Sequence, residues 1–256
     1  IATDPATVET VDEGRVPDDR PAGRWTAVVP AAAGAAARLI APDGVDHLLP
    51  MPLPGRYNVT NAALAVALCV AAGAGTEQAC AGIADVVVPG RLEPVRAGQD
   101  FLAVVDYAHK PAAVEAVLAT LAADTAGRIG VVLGAGGDRD SGKRPQMGAA
   151  AARAADLVIV TDDNPRTEDP ATIRAAVSEG ANGVPADERR ATDIREIGDR
   201  GAAIAAAVAW ARPGDVVLIA GKGHEVGQEI NGVKHEFDDR VVLARALAEA
   251  GHGERR

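Results

Sequence analysis

Cysteine is scarce: Cys69 and Cys80 are the only two in 256 residues. A disulfide scaffold or a cysteine-built zinc site needs more, and such usage fits a reducing cytosol. Aromatic residues make up 2% of the chain, two each of Phe, Trp and Tyr, so its core must be built from aliphatic side chains. Long apolar runs are missing too. The longest uncharged apolar stretch, Ala62–Gly75, has 14 residues, whereas a bilayer-spanning helix needs about 20. The opening residues carry no basic stretch leading into an apolar run. Positive charge is in deficit, with 26 Lys and Arg against 36 Asp and Glu and a net charge of −10. A general nucleic-acid binder needs a basic face to neutralise phosphates, which argues against that class. A local cationic cluster around an anionic ligand remains open.

Apolar residues form 48% of the chain and charged residues 24%, a globular balance rather than a disordered one. The length allows one large domain or two smaller ones. The chain starts at Ile1 on polar, Thr/Asp/Pro-rich sequence, which reads as a piece of a longer protein.

Residues 1–89 read as turns and short strands followed by helices. Thr7–Thr10, Thr26–Val29 and Arg38–Ile40 are expected strands, separated by the clusters Pro17–Pro21 and Ala41–Gly44. Leu48–Pro54 is expected as a loop. A helix is expected from Val59 to about Ala72, with Asn58 able to cap it and Gly73 ending it, then a second over Glu77–Val86. Beyond Val88-Pro89-Gly90 strands and helices alternate. The strands are Leu102–Asp106, Ile129–Leu133, Leu157–Thr161 and Asp215–Ile219. The helices are Ala112–Ala123, Pro145–Ala155, Ala171–Glu179, Asp199–Ala211 and Asp238–Ala250, with a hairpin at Asn231-Gly232. Alternation of this kind implies α/β architecture with a mostly parallel sheet and flanking helices.

In such a sheet ligands bind at the carboxyl ends of the strands, and there the charged and glycine-rich segments fall. The first strand leads into Asp106–Pro111, the second into Gly134–Pro145, the third into Asp162–Pro170 and the fourth into Ala220–Glu225. Gly137–Lys143 fits seven positions of a phosphate-cradling P-loop, but Arg144 stands where Ser or Thr must ligate magnesium, so a P-loop is rejected. Arg139, Lys143 and Arg144 can instead hold carboxylates or a phosphate, with Asp138 and Asp140 orienting them. In Asp163-Asn164-Pro165-Arg166 a guanidinium fork matches a planar carboxylate, and the acid and amide can take an ammonium group. That combination suits a zwitterionic amino acid. Asp169 and Pro170 are explained as a helix cap and first turn. Gly221 and Gly223 let backbone approach a ligand, Glu225 can accept from an ammonium, and His224 could relay a proton or bind phosphate. Asn58 and Asn61, three apart at a helix start, can hydrogen-bond a base edge.

These pieces in this order, with Gly55–Asn61, Gly90-Arg91-Leu92-Glu93 and Val105-Asp106-Tyr107-Ala108-His109, resemble the Mur ligase family from about Leu53 to the C-terminus. The resemblance implies a Rossmann-like C-terminal domain that binds the added amino acid, residues 90–256, preceded by the tail of a central ATP-binding α/β domain, residues 1–89. It implies an ATP- and Mg²⁺-dependent ligase of cytoplasmic peptidoglycan precursor synthesis. In it the carboxylate of UDP-MurNAc-L-Ala-D-Glu becomes an acyl phosphate that the amine of the incoming residue attacks. By position, Arg139, Asp163, Asn164, Pro165, Arg166, Gly221 and Glu225 would form the amino-acid site. The Arg in Asp-Asn-Pro-Arg marks the members that add meso-diaminopimelate. Asn58 and Asn61 would face adenine, Arg91 and Asp106 the ribose region, and His109 the phosphates.

The sequence also departs from the family. Its Gly-Lys-Thr P-loop, magnesium-binding acid and histidine, carbamylated lysine and UDP-binding domain are missing from these 256 residues. The main catalytic groups are therefore expected in the missing part, leaving the catalytic residues of this piece unassigned; no metal site is expected in it, and the piece alone is expected to be inactive. Ala135 replaces a common Cys, and Lys110 a common Thr or Asn. Two alternatives stand beside this reading: a folylpolyglutamate-synthase-like member, and a non-catalytic amino-acid-binding module descended from a ligase.

Overall fold

The computed structural model describes residues 7–16, 23–30, 36–53 and 55–252. The Pro17–Pro21 cluster and Pro54 lie outside the described residues. The chain divides into two compact units, Ile1–Val87 and Val88–Arg256. Among the described residues no helix is long and apolar enough to cross a membrane.

The first unit holds a four-stranded sheet of β1 (Val8–Asp12), β2 (Trp25–Val29), β3 (Ala37–Ile40) and β4 (Asp46–Leu49), in that order. The β1–β2 pair is parallel and the other two are antiparallel. Helices α1 (Arg56–Ala71) and α2 (Thr76–Ile83) complete it. Trp25, Ala27, Leu39 and Leu49 pack against Val59, Ala63, Val66 and Cys80. Two expectations need correction. Residues 46–49 form a strand rather than the start of a loop, because Leu48 and Leu49 pair with Arg38 and Ala37. Asn58 is not the cap: α1 begins three residues earlier, with Gly55 at φ +101° as its N-cap.

The second unit is a six-stranded sheet: β5 (Glu93–Pro94), β6 (Leu102–Asp106), β7 (Ile129–Leu133), β8 (Leu157–Val160), β9 (Asp193–Glu196) and β10 (Val216–Ala220). Its spatial order is β5-β6-β10-β7-β8-β9, parallel throughout except for the edge strand β5. β9 is not among the expected strands. It forms because its backbone pairs with β8, although its side chains are only half-buried.

Side-chain alternation assigns the two faces. Val104, Val131, Leu133, Val158 and Leu218 face α3 (Pro111–Asp124), α4 (Lys143–Ala154) and α5 (Pro170–Asn182). Val105, Val132, Ile159, Val217 and Ile219 face α6 (Arg200–Trp210) and α7 (Asp239–Leu247). A hairpin of β11 (Gln228–Ile230) and β12 (Val233–His235) lies between β10 and α7. Asp169 caps α5 through Ala171 N–H at 3.1 Å, with Pro170 in the first turn. Helices α4 and α5 approach so closely that a Cβ on Gly180 would stand 1.9 Å from the Pro145 carbonyl oxygen.

The position of β10 prepares the site. It lies between β6 and β7, and the chain leaves β6 and β7 toward one face but reaches α7 on the other after β10. A crevice opens at the carboxyl ends where neighbouring strands diverge in this way. Beneath it Arg200 and Asp239, both wholly buried, form a bidentate pair at 2.7 Å for each bond. Arg200 also donates to the carbonyl of Ala220 at 3.0 Å, so the pair holds the ends of α6, α7 and β10 together.

Candidate functional site

The four segments that follow β6, β7, β8 and β10 converge on one cavity of about 580 Å³. After β6 come Tyr107, His109 and Lys110; after β7, Gly136, Arg139, Asp140 and Lys143. After β8 come Asp163, Asn164 and Arg166; after β10, Gly221 and Glu225. Of the expected amino-acid residues, Arg139, Asp163, Asn164, Arg166, Gly221 and Glu225 are thus brought together. Pro165 is not on the cavity wall. It shapes the loop instead: a Cβ on Gly137 would meet the Pro165 carbonyl oxygen at 1.9 Å, so only glycine lets these two loops close.

The lining of the cavity carries groups of both charges. Arg139, Arg166 and Lys143 supply cations, while Asp163, Asn164 and Glu225 supply carboxylates and an amide. Arg166 takes a left-handed backbone, φ +52°, unfavourable for a side chain with a Cβ. The hairpin holds it there. Arg166 N–H donates to the Glu229 carbonyl at 3.0 Å, and Asn231 N–H donates to the Arg166 carbonyl at 2.6 Å. The Glu229 carboxylate lies 3.4 Å from Nε of Arg166, and Nη1 donates to the Gly137 carbonyl at 2.6 Å. Burial lowers the pKa of Lys143, whose Nζ donates to the His109 carbonyl at 3.1 Å.

Glu225 accepts from Tyr107 Oη at 3.0 Å and from Asn164 Nδ2 at 3.3 Å. Burial, then the bond to Glu225, raises the Tyr107 pKa. The ammonium that Asp163 and Asn164 already hold is the chain's own Lys222, with Nζ 3.3 Å from Asp163 Oδ1 and 2.9 Å from Asn164 Oδ1. Gly221 has φ +120°, and a Cβ there would reach Asp163 Oδ2 at 2.7 Å.

Several roles expected of the Gly134–Pro145 segment change. Asp138 accepts from the N–H and hydroxyl of Thr167, and Asp140 accepts from Gly142 N–H. Among the described residues no ion pair joins either to Arg139, Lys143 or Arg144, although the charge of Asp140 raises the Lys143 pKa against its burial. Arg144 is buried and bonds Glu168 at 2.7 Å, which lowers the Glu168 pKa. It belongs to the scaffold because α4 starts at Lys143 and turns Arg144 inward.

The residues expected near a nucleotide are distributed over both units. Asn58 and Asn61 lie in the first turns of α1, Asn61 exposed. In the second unit Arg91 lies over the Tyr107 ring, 4.9 Å from its centroid. His109 Nδ1 is 2.8 Å from the Tyr107 carbonyl oxygen. Both oxygens of buried Asp106 accept backbone N–H groups, of Leu92 and Ala108, each at 2.8 Å. Burial raises its pKa despite those bonds. Asp106 therefore works as the staple of the Gly90–Leu92 turn. Among the described residues no three His, Cys, Asp or Glu gather in a way that could hold a metal ion.

Tyr107, Lys222 and Glu229 were given no role by sequence reasoning. Tyr107 carried a signal, lying between two expected site residues. Lys222 carried the same signal, lying between Gly221 and Glu225, but its partner Asn164 is 58 positions away; Glu229 carried none, its partner Arg166 being 63 positions away.

A family profile described as "Mur ligase, glutamate ligase domain" matches residues 90–223. A Corynebacterium efficiens protein named UDP-N-acetylmuramoyl-L-alanyl-D-glutamate–2,6-diaminopimelate ligase is 59% identical over 206 residues, 80% of this chain and 39% of that protein. A Streptomyces coelicolor protein of the same name is 53% identical over 210 residues, 82% of this chain and 41% of that one. The chain thus spans about 40% of the length of these curated relatives. A solved structure of a ligase of that name superposes with TM-score 0.62 at 35% identity, over 97% of this chain and 54% of that one. A Mycobacterium tuberculosis folylpolyglutamate synthase solved with ADP and AMPPCP gives TM-score 0.58 at 24% identity, over 90% of this chain and 49% of that one, and shares the fold.

Proposed function

The chain belongs to the Mur ligase family, and from that premise we propose that it carries the amino-acid-binding part of an ATP-dependent ligase that adds meso-diaminopimelate to UDP-MurNAc-L-Ala-D-Glu. The relatives at 59% and 53% identity bear the name of that reaction, whereas the folylpolyglutamate synthase shares only the fold. The observation that carries the proposal is the single cavity whose lining gathers Arg139 and Arg166 with Asp163, Asn164 and Glu225.

meso-Diaminopimelate has an amino-acid group at each end. The cavity grips the end that does not react. Its carboxylate lies against Arg166 and Arg139, and its ammonium lies against Glu225 and Asp163. A guanidinium presents five N–H donors in a fixed fork; Arg166 spends two nitrogens on Gly137 and Glu229, which fixes the direction of the fork. L-Lysine has the ammonium but not the carboxylate and leaves the cationic groups unpaired. The reacting amine points out of the cavity toward the acyl phosphate of the nucleotide substrate. This part of the protein supplies position rather than bond-making groups, a contribution that can be worth several kcal/mol of barrier. In the whole enzyme magnesium would neutralise charge on the phosphoryl group being transferred. Substrates of this kind place the reaction in the cytoplasm.

A calorimetric titration of the chain with meso-diaminopimelate, with L-lysine as control, tests the proposal. Binding of the first and not the second is expected. Preferential binding of L-lysine overturns the assignment of the cationic groups.

A further inference from the structure

Lys222 stands behind the cavity rather than in it. It follows Gly221 at the end of β10, and its side chain is 0% exposed. An ammonium taken out of water is tolerated only when its donors are met. Lys222 has three N–H donors and three acceptors: Asn164 Oδ1 at 2.9 Å, the Gly227 carbonyl at 2.9 Å and Asp163 Oδ1 at 3.3 Å. The neighbouring charges are Asp163, Asp239 and Arg200; burial lowers the Lys222 pKa and Asp163 opposes it.

One of these bonds fixes an orientation. Asn164 Oδ1 also accepts from Glu229 N–H at 3.0 Å. With two donors aimed at that oxygen, turning the amide over would set its NH₂ against both. The amide therefore has one orientation, with Nδ2 directed to Glu225 Oε2 at 3.3 Å. Tyr107 holds the other oxygen of Glu225.

We propose that Lys222 is a positioning residue that sets the orientation of Asn164 and of the carboxylates Asp163 and Glu225 around it. By holding the Asn164 amide oxygen and one oxygen of Asp163 from behind, it turns the Asn164 NH₂ to Glu225 and leaves the carboxylates of Asp163 and Glu225 to receive an ammonium group. Lys222 thereby makes the pocket select for an amine-bearing ligand without touching it. The proposal rests on the reading of the cavity as an amino-acid site.

The test has a ligand-free arm and a ligand arm. By ¹⁵N relaxation, the Asn164 side-chain amide is expected to be rigid on the ps–ns timescale in the wild-type chain and mobile in Lys222→Met. A mobile amide in the wild type, or an equally rigid one in the variant, overturns the proposal. If Lys222→Met does not fold, Lys222→Gln is read in its place, and the wild-type measurement stands by itself. In the ligand arm, meso-diaminopimelate is compared with pimelate, which has the same carbon chain and both carboxylates but no amines. Lys222→Met is expected to weaken meso-diaminopimelate at least tenfold and to leave pimelate within twofold. Equal losses for both ligands mean a merely structural lysine and overturn the proposal. Failure of both ligands to bind the wild type overturns the amino-acid reading instead, while the relaxation arm still judges Lys222.

Discussion

Nη1 of Arg166 donates to the carbonyl oxygen of Gly137 at 2.6 Å, and this bond ties the loop after β8 to the loop after β7. A Cβ on Gly136 would stand 2.9 Å from the same nitrogen, so the guanidinium lies directly on the glycine backbone. Arg166→Ala is expected to weaken meso-diaminopimelate binding by about 1.5–3 kcal/mol, the scale of hydrogen bonds to charged groups. Arg166→Lys should recover little, because a point ammonium does not reproduce the fork. Calorimetry on both variants decides it, and unchanged affinity removes Arg166 from the site.

The hairpin gives Arg166 its backbone conformation. Its turn has Asn231 at φ +49° and Gly232 at φ +75°, the pattern of a two-residue type I′ turn. Gly232→Val puts a β-branched residue where φ is positive and should open the turn. Affinity for meso-diaminopimelate should fall several-fold. The melting temperature should move little, because no residue of β11 or β12 is buried. Undiminished affinity would detach the hairpin from the site.

Close packing of α4 on α5 depends on Gly148 and Gly180, where an added Cβ would meet a backbone oxygen at 1.9 Å in each case. Backbone on both sides cannot yield as a side chain would. Gly180→Ala is expected to lower stability by about 1–3 kcal/mol, the usual cost of overpacking, as read by urea denaturation. A variant as stable as the wild type would mean that the helices separate without penalty.

Asp215 contributes to the acid sensitivity of the second unit, as do Glu168 and Asp238, whose pKa values are also lowered. Burial raises its pKa, but bonds from the Arg128 side chain and the N–H groups of Arg128 and Arg212 prevail, and the net shift is downward. A carboxylate with a depressed folded value stabilises above its ordinary value, and the contribution fades as pH falls through the folded one. Asp215→Asn should cost roughly 1.5–3 kcal/mol near neutral pH and flatten the fall in stability below pH ~4. Melting temperatures of both proteins between neutral and acid pH check this. Parallel curves would show that Asp215 does not carry the effect.

Where the signal was local, the sequence was legible. Leu102–Asp106 and Ile129–Leu133 form strands with the expected bounds, because short aliphatic runs ended by polar turns have few other ways to bury themselves. Asp169 was readable as a cap since its partner is two residues away. Asn58 was misread because the backbone of Gly55, at φ +101°, starts α1 earlier than any side-chain cap would suggest. β9 was missed because its residues are only half-buried and its formation depends on the neighbouring β8. Arg144 looked like a ligand-binding cation until helix phase turned it toward Glu168.

The sequence by itself determined that strands and helices alternate after residue 90 and that four polar loops follow the buried strands. Both follow from the spacing of apolar residues along the chain. The order of the strands came only with tertiary structure. β10, last of the parallel strands in sequence, lies between β6 and β7, and this insertion brings Glu225 to Tyr107 and Lys222 to Asn164. Such pairings depend on which strand edges are left to be covered once the helices have packed, and no local pattern encodes them. Tertiary structure also decided which charges serve a ligand and which serve the scaffold. A charged side chain looks the same in sequence whether burial has given it a partner within the protein or left it facing the cavity.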